Sequence, residues 1–221
     1  MKNVLVVAPH PDDEILGCGG TMLRHVNEGD NVYVCVVTHC EPPLFKENAS
    51  LPIQKSAKEC HEWMGVKNTF FLDFPTVMLE KIDRYLLNDA ILNIITKTSA
   101  DVVYIPHFGD MQKDHQLVAE ACMVGVRPKY AHRVSKVYGY ETLSETAWNI
   151  PNIQNEFIPN TFVDISDFLV GKLKAMEYYE SQLNPFPDAR SLKAIEALAL
   201  YRGALMHMRA AEAFMLLREI I

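Results

Sequence analysis

Val4-Leu5-Val6-Val7-Ala8-Pro9-His10-Pro11-Asp12-Asp13-Glu14 passes from an apolar run straight into a histidine and three carboxylates, and Gly17-Cys18-Gly19-Gly20 follows. The run at 4–8 is continuous rather than alternating, which is the pattern of a strand covered on both faces. Residues 12–28 read as a helix that Gly29 stops. A buried strand therefore delivers His10, Asp12 and Asp13 to the point where a helix opens. In an open α/β sheet that carboxyl edge is where ligands bind. Pro9 and Pro11 stiffen the loop on either side of the histidine.

The same alternation continues downstream. Residues 31–38 are valine-rich and read as a strand, 52–64 as a helix ending at Gly65, and 69–72 as a short strand. Residues 79–98 read as a long amphipathic helix, 102–105 as a strand and 114–126 as a helix. Strands alternating with helices make βαβ units, so the expected fold class is α/β with a mainly parallel sheet flanked by helices. Residues 136–141 and 161–165 add strands, and 148–159, with two prolines, reads as a loop. Ser166 is the expected N-cap of a helix reaching about Gln182. After Pro185 and Pro187, the segment from Arg190 onward reads as a C-terminal helical portion, interrupted near Gly203. No repeat or linker divides the chain, so residues 1–221 are expected to form one domain.

A second polar cluster, Pro106-His107-Phe108-Gly109-Asp110-Met111-Gln112-Lys113-Asp114-His115, also follows a strand and opens a helix. With strand order 3-2-1-4, the first and fourth strands are neighbours and the gap between them is the switch point of the sheet. The two clusters then meet at one site. Histidine and carboxylate donors suit zinc or a similar divalent ion. Adjacent aspartates in a turn can point different ways, one toward a metal and the other free to take a proton from water. The bland alternative is an aspartate capping a helix; the second cluster weighs against it. Gly17 to Gly20 does not fit a dinucleotide fingerprint and is expected to permit close helix packing.

Composition limits the partners. Hydrophobic residues make up 49% and charged residues 22%, enough for a substantial core, and the formal charge is -7. A duplex binder needs a basic footprint, so no nucleic-acid partner is expected. No apolar run approaches membrane-spanning length, so no membrane partner is expected either. The five cysteines form no C-x-x-C pair, and reduced thiols in a cytoplasmic protein are the simplest expectation.

His10-Pro11-Asp12-Asp13-Glu14 with its glycines, together with Asp114-His115, resembles the PIG-L (LmbE-like) zinc-dependent N-acetyl-sugar deacetylases. The resemblance extends through Tyr140-Glu141, Val163-Asp164-Ile165-Ser166, Ser181-Gln182, Arg190-Ser191 and Ala211-Glu212-Ala213-Phe214. It implies a Rossmann-like α/β fold and hydrolysis of an N-acetyl amide on a glucosamine-type sugar or nucleotide sugar, releasing acetate. It also implies Zn2+, or another divalent metal, on His10, Asp13 and His115, with Asp12 as general base. The sequence departs from the family's H-x-D-H, which reads Gln112-Lys113-Asp114-His115 here. The missing histidine serves the oxyanion or the leaving amine; Gln112 can donate a hydrogen bond but not a proton. His107 is a stand-in to be tested by its position.

Further expectations are coarser. Asp114 is assigned to the catalytic group as the residue orienting a ligand histidine. Arg190, Asp110 and His39 are assigned to substrate. For Arg190 a structural salt bridge is the equal alternative, and for His39 a place on the pocket rim. Arg202 and Glu212 are expected to serve structure, paired with each other or with the core. His25, His61, His132 and His207 are expected to be surface or satisfied residues. The methionine–leucine stripe near the C-terminus is expected to be helical core or a homo-oligomer interface. The competing functions are a non-catalytic metal- or sugar-binding protein, against which the retained Asp12 speaks, and a nucleotide-binding protein such as a methyltransferase.

Overall fold

Strand β1 (Asn3–Ala8) splits its side chains between two cores. Val4 and Val6 pack on one face with Ile15, Cys18 and Met22, and Leu5 and Val7 on the other with Ile91, Ile95 and Val118. That is the two-residue period of a strand sandwiched between helical layers. The computed structural model describes residues 1–130 and 133–221. Around β1 it places α1 (Asp13–Asn27), β2 (Asn31–His39), α2 (Ser50–Met64), β3 (Asn68–Pro75) and α3 (Arg84–Thr98). These are followed by β4 (Val102–Pro106), α4 (Lys113–Gly125), β5 (Lys136–Tyr140), β6 (Thr161–Asp164), α5 (Leu169–Glu177), α6 (Leu192–Ala204) and β7 (Ala211–Glu219).

The seven strands lie in the order β3-β2-β1-β4-β5-β7-β6. The first five run parallel, and β7 is antiparallel to both β5 and β6. This is a single α/β domain, and β1 and β4 are neighbours as the strand-order argument requires. Glycines let α1 approach closely. A Cβ on Gly17 would sit 2.2 Å from Cδ2 of buried Tyr140, and one on Gly20 2.8 Å from Ile165. Among the described residues no helix is long and apolar enough to cross a membrane. The five cysteines are unpaired.

Several expected elements differ. The C-terminal segment is not one helix: α6 ends at Ala204, and the chain reverses to form β7. Gly203 makes the reversal possible, since a Cβ there would lie 2.7 Å from Met208 O and Ala210 Cα. Residues 211–219 contain good helix formers, but β5 and β6 satisfy their backbone from both sides, and tertiary pairing outweighs propensity. The methionine–leucine stripe therefore belongs to a strand. Ser166 does not cap a helix; its N–H and hydroxyl both donate to Asp164 Oδ1, and α5 starts only at Leu169. The helix expected over 79–98 splits into a short 3-10 turn at Leu79–Lys81 and α3. Of the two pairings open to Arg202 and Glu212, the fold takes the one in which each binds elsewhere in the core. Arg202 binds Glu141 through two bonds, and Glu212 accepts from Lys172 and from the N–H groups of Gly20 and Thr21.

Candidate active site

The loop after β1 and the start of α4 come together at the β1–β4 edge. One donor atom from each of His10, Asp13 and His115 lies within 4.8 Å of the others. Asp13 is the hub: its Oδ2 is 3.2 Å from His10 Nδ1 and 3.2 Å from His115 Nε2, and it accepts from the His10 N–H at 2.9 Å. Each ring is held from behind by a second carboxylate. Asp114 Oδ2 lies 3.1 Å from His10 Nε2 and also accepts from the Val77 N–H at 2.6 Å. Asp110 Oδ2 lies 2.8 Å from His115 Nδ1.

This packing is electrostatically lopsided. Burial opposes a charged His115, but Asp13 and Asp110 outweigh it and push the imidazole up to about 10. Burial likewise opposes charge on His10, and its bonds to Asp114 and Asp13 outweigh that, raising it. Asp13 is held well below the carboxylate range despite its burial, because both histidines face it. A cation suits the space between them. Asp13 Oδ1 and Asp114 Oδ1 are buried with no hydrogen-bond partner among the described residues, and a cation between the donors would satisfy such atoms. Two imidazoles and a carboxylate are a donor set zinc accepts, with a fourth position left for a reactant.

Asp12 stands apart from this set. It precedes α1 with φ 118, and its side chain makes no cap to the helix, so the capping alternative fails. The left-handed backbone leaves its carboxylate lining a cleft of about 220 Å³ together with His10, His39, Gln112, Gln182 and Arg190. Arg190 Nη1 lies 3.3 Å from Asp12 Oδ2. Burial, then the neighbouring Asp13, push the Asp12 carboxyl up to about 8, with Arg190 pulling the other way.

The remaining expected residues separate. Gln112 lines the cleft, and its buried Oε1 has no partner among the described residues. His39 lines the cleft with Nε2 3.0 Å from Glu41 Oε2. Asp110 does not reach substrate space: it is fully buried behind His115, bonded to it and to Thr146 Oγ1. Arg190 lines the cleft and is engaged there with Asp12, Gln182 and Ser144. His107 cannot stand in for the missing histidine, since it is buried and its Nε2 faces the Asn155 carbonyl at 3.0 Å. His25 bonds to Asp30 and Tyr104, His61 is buried on Glu14 and Thr69, His207 is exposed, and His132 lies outside the described residues. Sequence reasoning missed the contacts of Val77 and Ser144, which lie far from both clusters in the chain and carry no motif of their own, and gave no role to Gln182, although Ser181-Gln182 is one of the stretches that carry the resemblance.

The chain belongs to the PIG-L family, described as GlcNAc-PI de-N-acetylase, whose profile matches residues 5–125. A relative, diacetylchitobiose deacetylase of Thermococcus kodakarensis, is 29% identical across 96% of this chain and 82% of its own length. The conserved protein TT1542 of Thermus thermophilus superposes with a TM-score of 0.81 at 25% identity, covering 100% of this chain and 97% of that one. The fold alone does not fix the reaction. GalB of Pseudomonas putida, a 4-carboxy-2-hydroxymuconate hydratase, shares it at 18% identity and TM-score 0.76, over 100% of this chain and 98% of its own.

Proposed function

We propose that this chain is a zinc-dependent N-deacetylase that removes the acetyl group from an amino-sugar-containing small molecule, releasing acetate. The observation that carries this reading is the separation of Asp12 from the His10, Asp13 and His115 donor set: binding alone does not require a buried carboxylate left over and facing the cleft. Zinc, or a similar divalent ion, held by those three residues would polarise the amide carbonyl and make water acidic enough to attack at neutral pH. Membership of the PIG-L family and the deacetylase relative favour an acetylated glucosamine as the amide donor.

The residues of the chain then divide the work. Asp12 takes a proton from the attacking water as its oxygen bonds to the carbonyl carbon. Gln112 donates an amide N–H to the carbonyl oxygen as that oxygen gains charge. When the C–N bond breaks, Asp12 returns its proton to the departing nitrogen, leaving acetate and a free amine. That double duty replaces the acid that Gln112 cannot be. Arg190 holds the Asp12 carboxylate toward the cleft and favours its charged form. Asp114 and Asp110 fix the two rings so that His10 Nδ1 and His115 Nε2 face the shared space.

The test is a panel of acetylated amino sugars, diacetylchitobiose among them, scored for acetate release by chelator-treated protein with and without added zinc. Zinc-restored release from at least one of them is the expected result. Zinc binding with no acetate from the whole panel would favour a binding protein instead.

A further inference from the structure

Glu14 takes no part in the donor set or the proton path, yet its side chain is fully buried in the first turn of α1. Its carboxylate folds back on the chain, and Oε2 accepts from the Asp12 N–H at 3.1 Å. The other oxygen is clamped from two distant elements. Tyr179, just past α5, donates its hydroxyl to Oε1, and His61 of α2 lies 3.0 Å from the same atom through Nε2. His61 is itself fixed, with Nδ1 2.8 Å from Thr69 Oγ1 on β3. Two distant side chains, one of them braced by β3, thus hold one carboxylate against one backbone N–H.

That N–H belongs to a residue with an uncomfortable backbone. A φ of 118 is a region that side-chain-bearing residues rarely adopt. Asp12 gains nothing local from it, since its side chain makes no cap to α1. Such a conformation persists only where the surroundings impose it. Its consequence is functional: it sends Asp12 into the cleft while Asp13 turns to the histidines.

We propose that Glu14 is a positioning residue that, clamped by His61 and Tyr179, fixes the backbone of Asp12 so that its carboxylate faces the substrate. The kinetic part of this proposal rests on the deacetylase reading; the backbone part does not. The alternative is that Glu14 merely ties α1 to α2 and α5, which would lower stability without touching turnover.

Three variants of the zinc-loaded protein separate the two. Glu14→Leu keeps the volume but offers no acceptor. Glu14→Gln can still present its amide oxygen to the Asp12 N–H. Tyr179→Phe loosens the clamp without touching either residue. Acetate release from the same panel of acetylated amino sugars, zinc content, thermal melting and a crystal structure are measured for each. Glu14→Leu should lower kcat about 100-fold, the scale of a misplaced reacting group. Its KM should change little, one zinc should remain per chain, and Asp12 should leave its positive φ. Glu14→Gln should recover most of kcat, and Tyr179→Phe should lose about three- to tenfold for the same reason. A folded Glu14→Leu protein with unchanged kcat and Asp12 still at positive φ overturns the proposal. So does a kcat that falls equally in the leucine and glutamine variants. If Glu14→Leu does not fold, Tyr179→Phe decides: full turnover there is the refutation. A wild type that releases no acetate removes the deacetylase reading, and the crystallographic comparison of Asp12 then decides the positioning role alone.

Discussion

Asp12→Asn exchanges one side-chain oxygen for an amide and leaves the volume unchanged, so it separates proton transfer from shape. General bases contribute about 10²–10⁴-fold to turnover, about 3–5 kcal/mol of barrier at roughly 1.4 kcal/mol per tenfold. The amide cannot take the proton from water, so kcat should fall by that factor. His10, Asp13 and His115 are untouched, so one zinc per chain should remain and KM should hold. Stability should move the other way. In chelator-treated protein, burial and Asp13 raise the Asp12 carboxyl from the ordinary 3.8 to about 8. Between those values the native state keeps a proton that the unfolded chain has released, so stability falls as pH rises across that window. Asparagine removes this term. The metal-free variant should therefore melt at a higher temperature than wild type at pH 8, with the gap closing toward pH 5. Acetate release, metal content and paired melting curves read all three effects. A zinc-loaded variant retaining more than about a tenth of wild-type kcat would refute the assignment, since no general base is worth so little.

Three other outcomes follow from the same geometry. His115, held protonated with a value near 10 in metal-free protein, must give up that proton to bind zinc, so uptake at pH 7 should release at least one proton and weaken as pH falls. Titration calorimetry in buffers of different ionisation heat reads it, and a heat independent of buffer would contradict it. Asp110→Asn keeps the contact to His115 but removes the charge, and should weaken zinc binding about 10–100-fold in chelator competition; unchanged affinity would return Asp110 to a purely structural role. Gly17→Ala gains up to about 1 kcal/mol of helix propensity. It also drives a methyl to 2.2 Å from Tyr140, which is pinned by its hydroxyl bond to Val7 O at 2.9 Å. Overpacking of about 1–3 kcal/mol should win, lowering the melting temperature by a few degrees; a rise would show that the ring can yield.

The sequence by itself determined the alternation of strands and helices that makes the parallel half of the sheet, and placed both polar clusters at strand ends. Periodicity is a local property: the continuous apolar run at β1 and the helix stops at Gly29 and Gly65 are written in neighbouring residues, whereas the strand order 3-2-1-4 entered as a condition and is seen in the folded sheet. Donor chemistry at a strand's carboxyl end marked out both clusters without coordinates, and the family resemblance picked His10, Asp12, Asp13 and His115 from among their side chains. Only the tertiary structure decided the rest. Residues 211–219 have helix-forming composition and become β7 because β5 and β6 need a partner between them, a demand no local window contains. Asp110 looked available for substrate and turned out to be sealed behind His115, and Glu14 looked like one more acid in a helix turn yet grips the backbone of Asp12. Both facts depend on what side chains from distant elements, Thr146 in one case and His61 with Tyr179 in the other, leave as the only space to occupy. Burial and hydrogen-bond pairing are set by the whole packed chain, so they become legible only once it is folded.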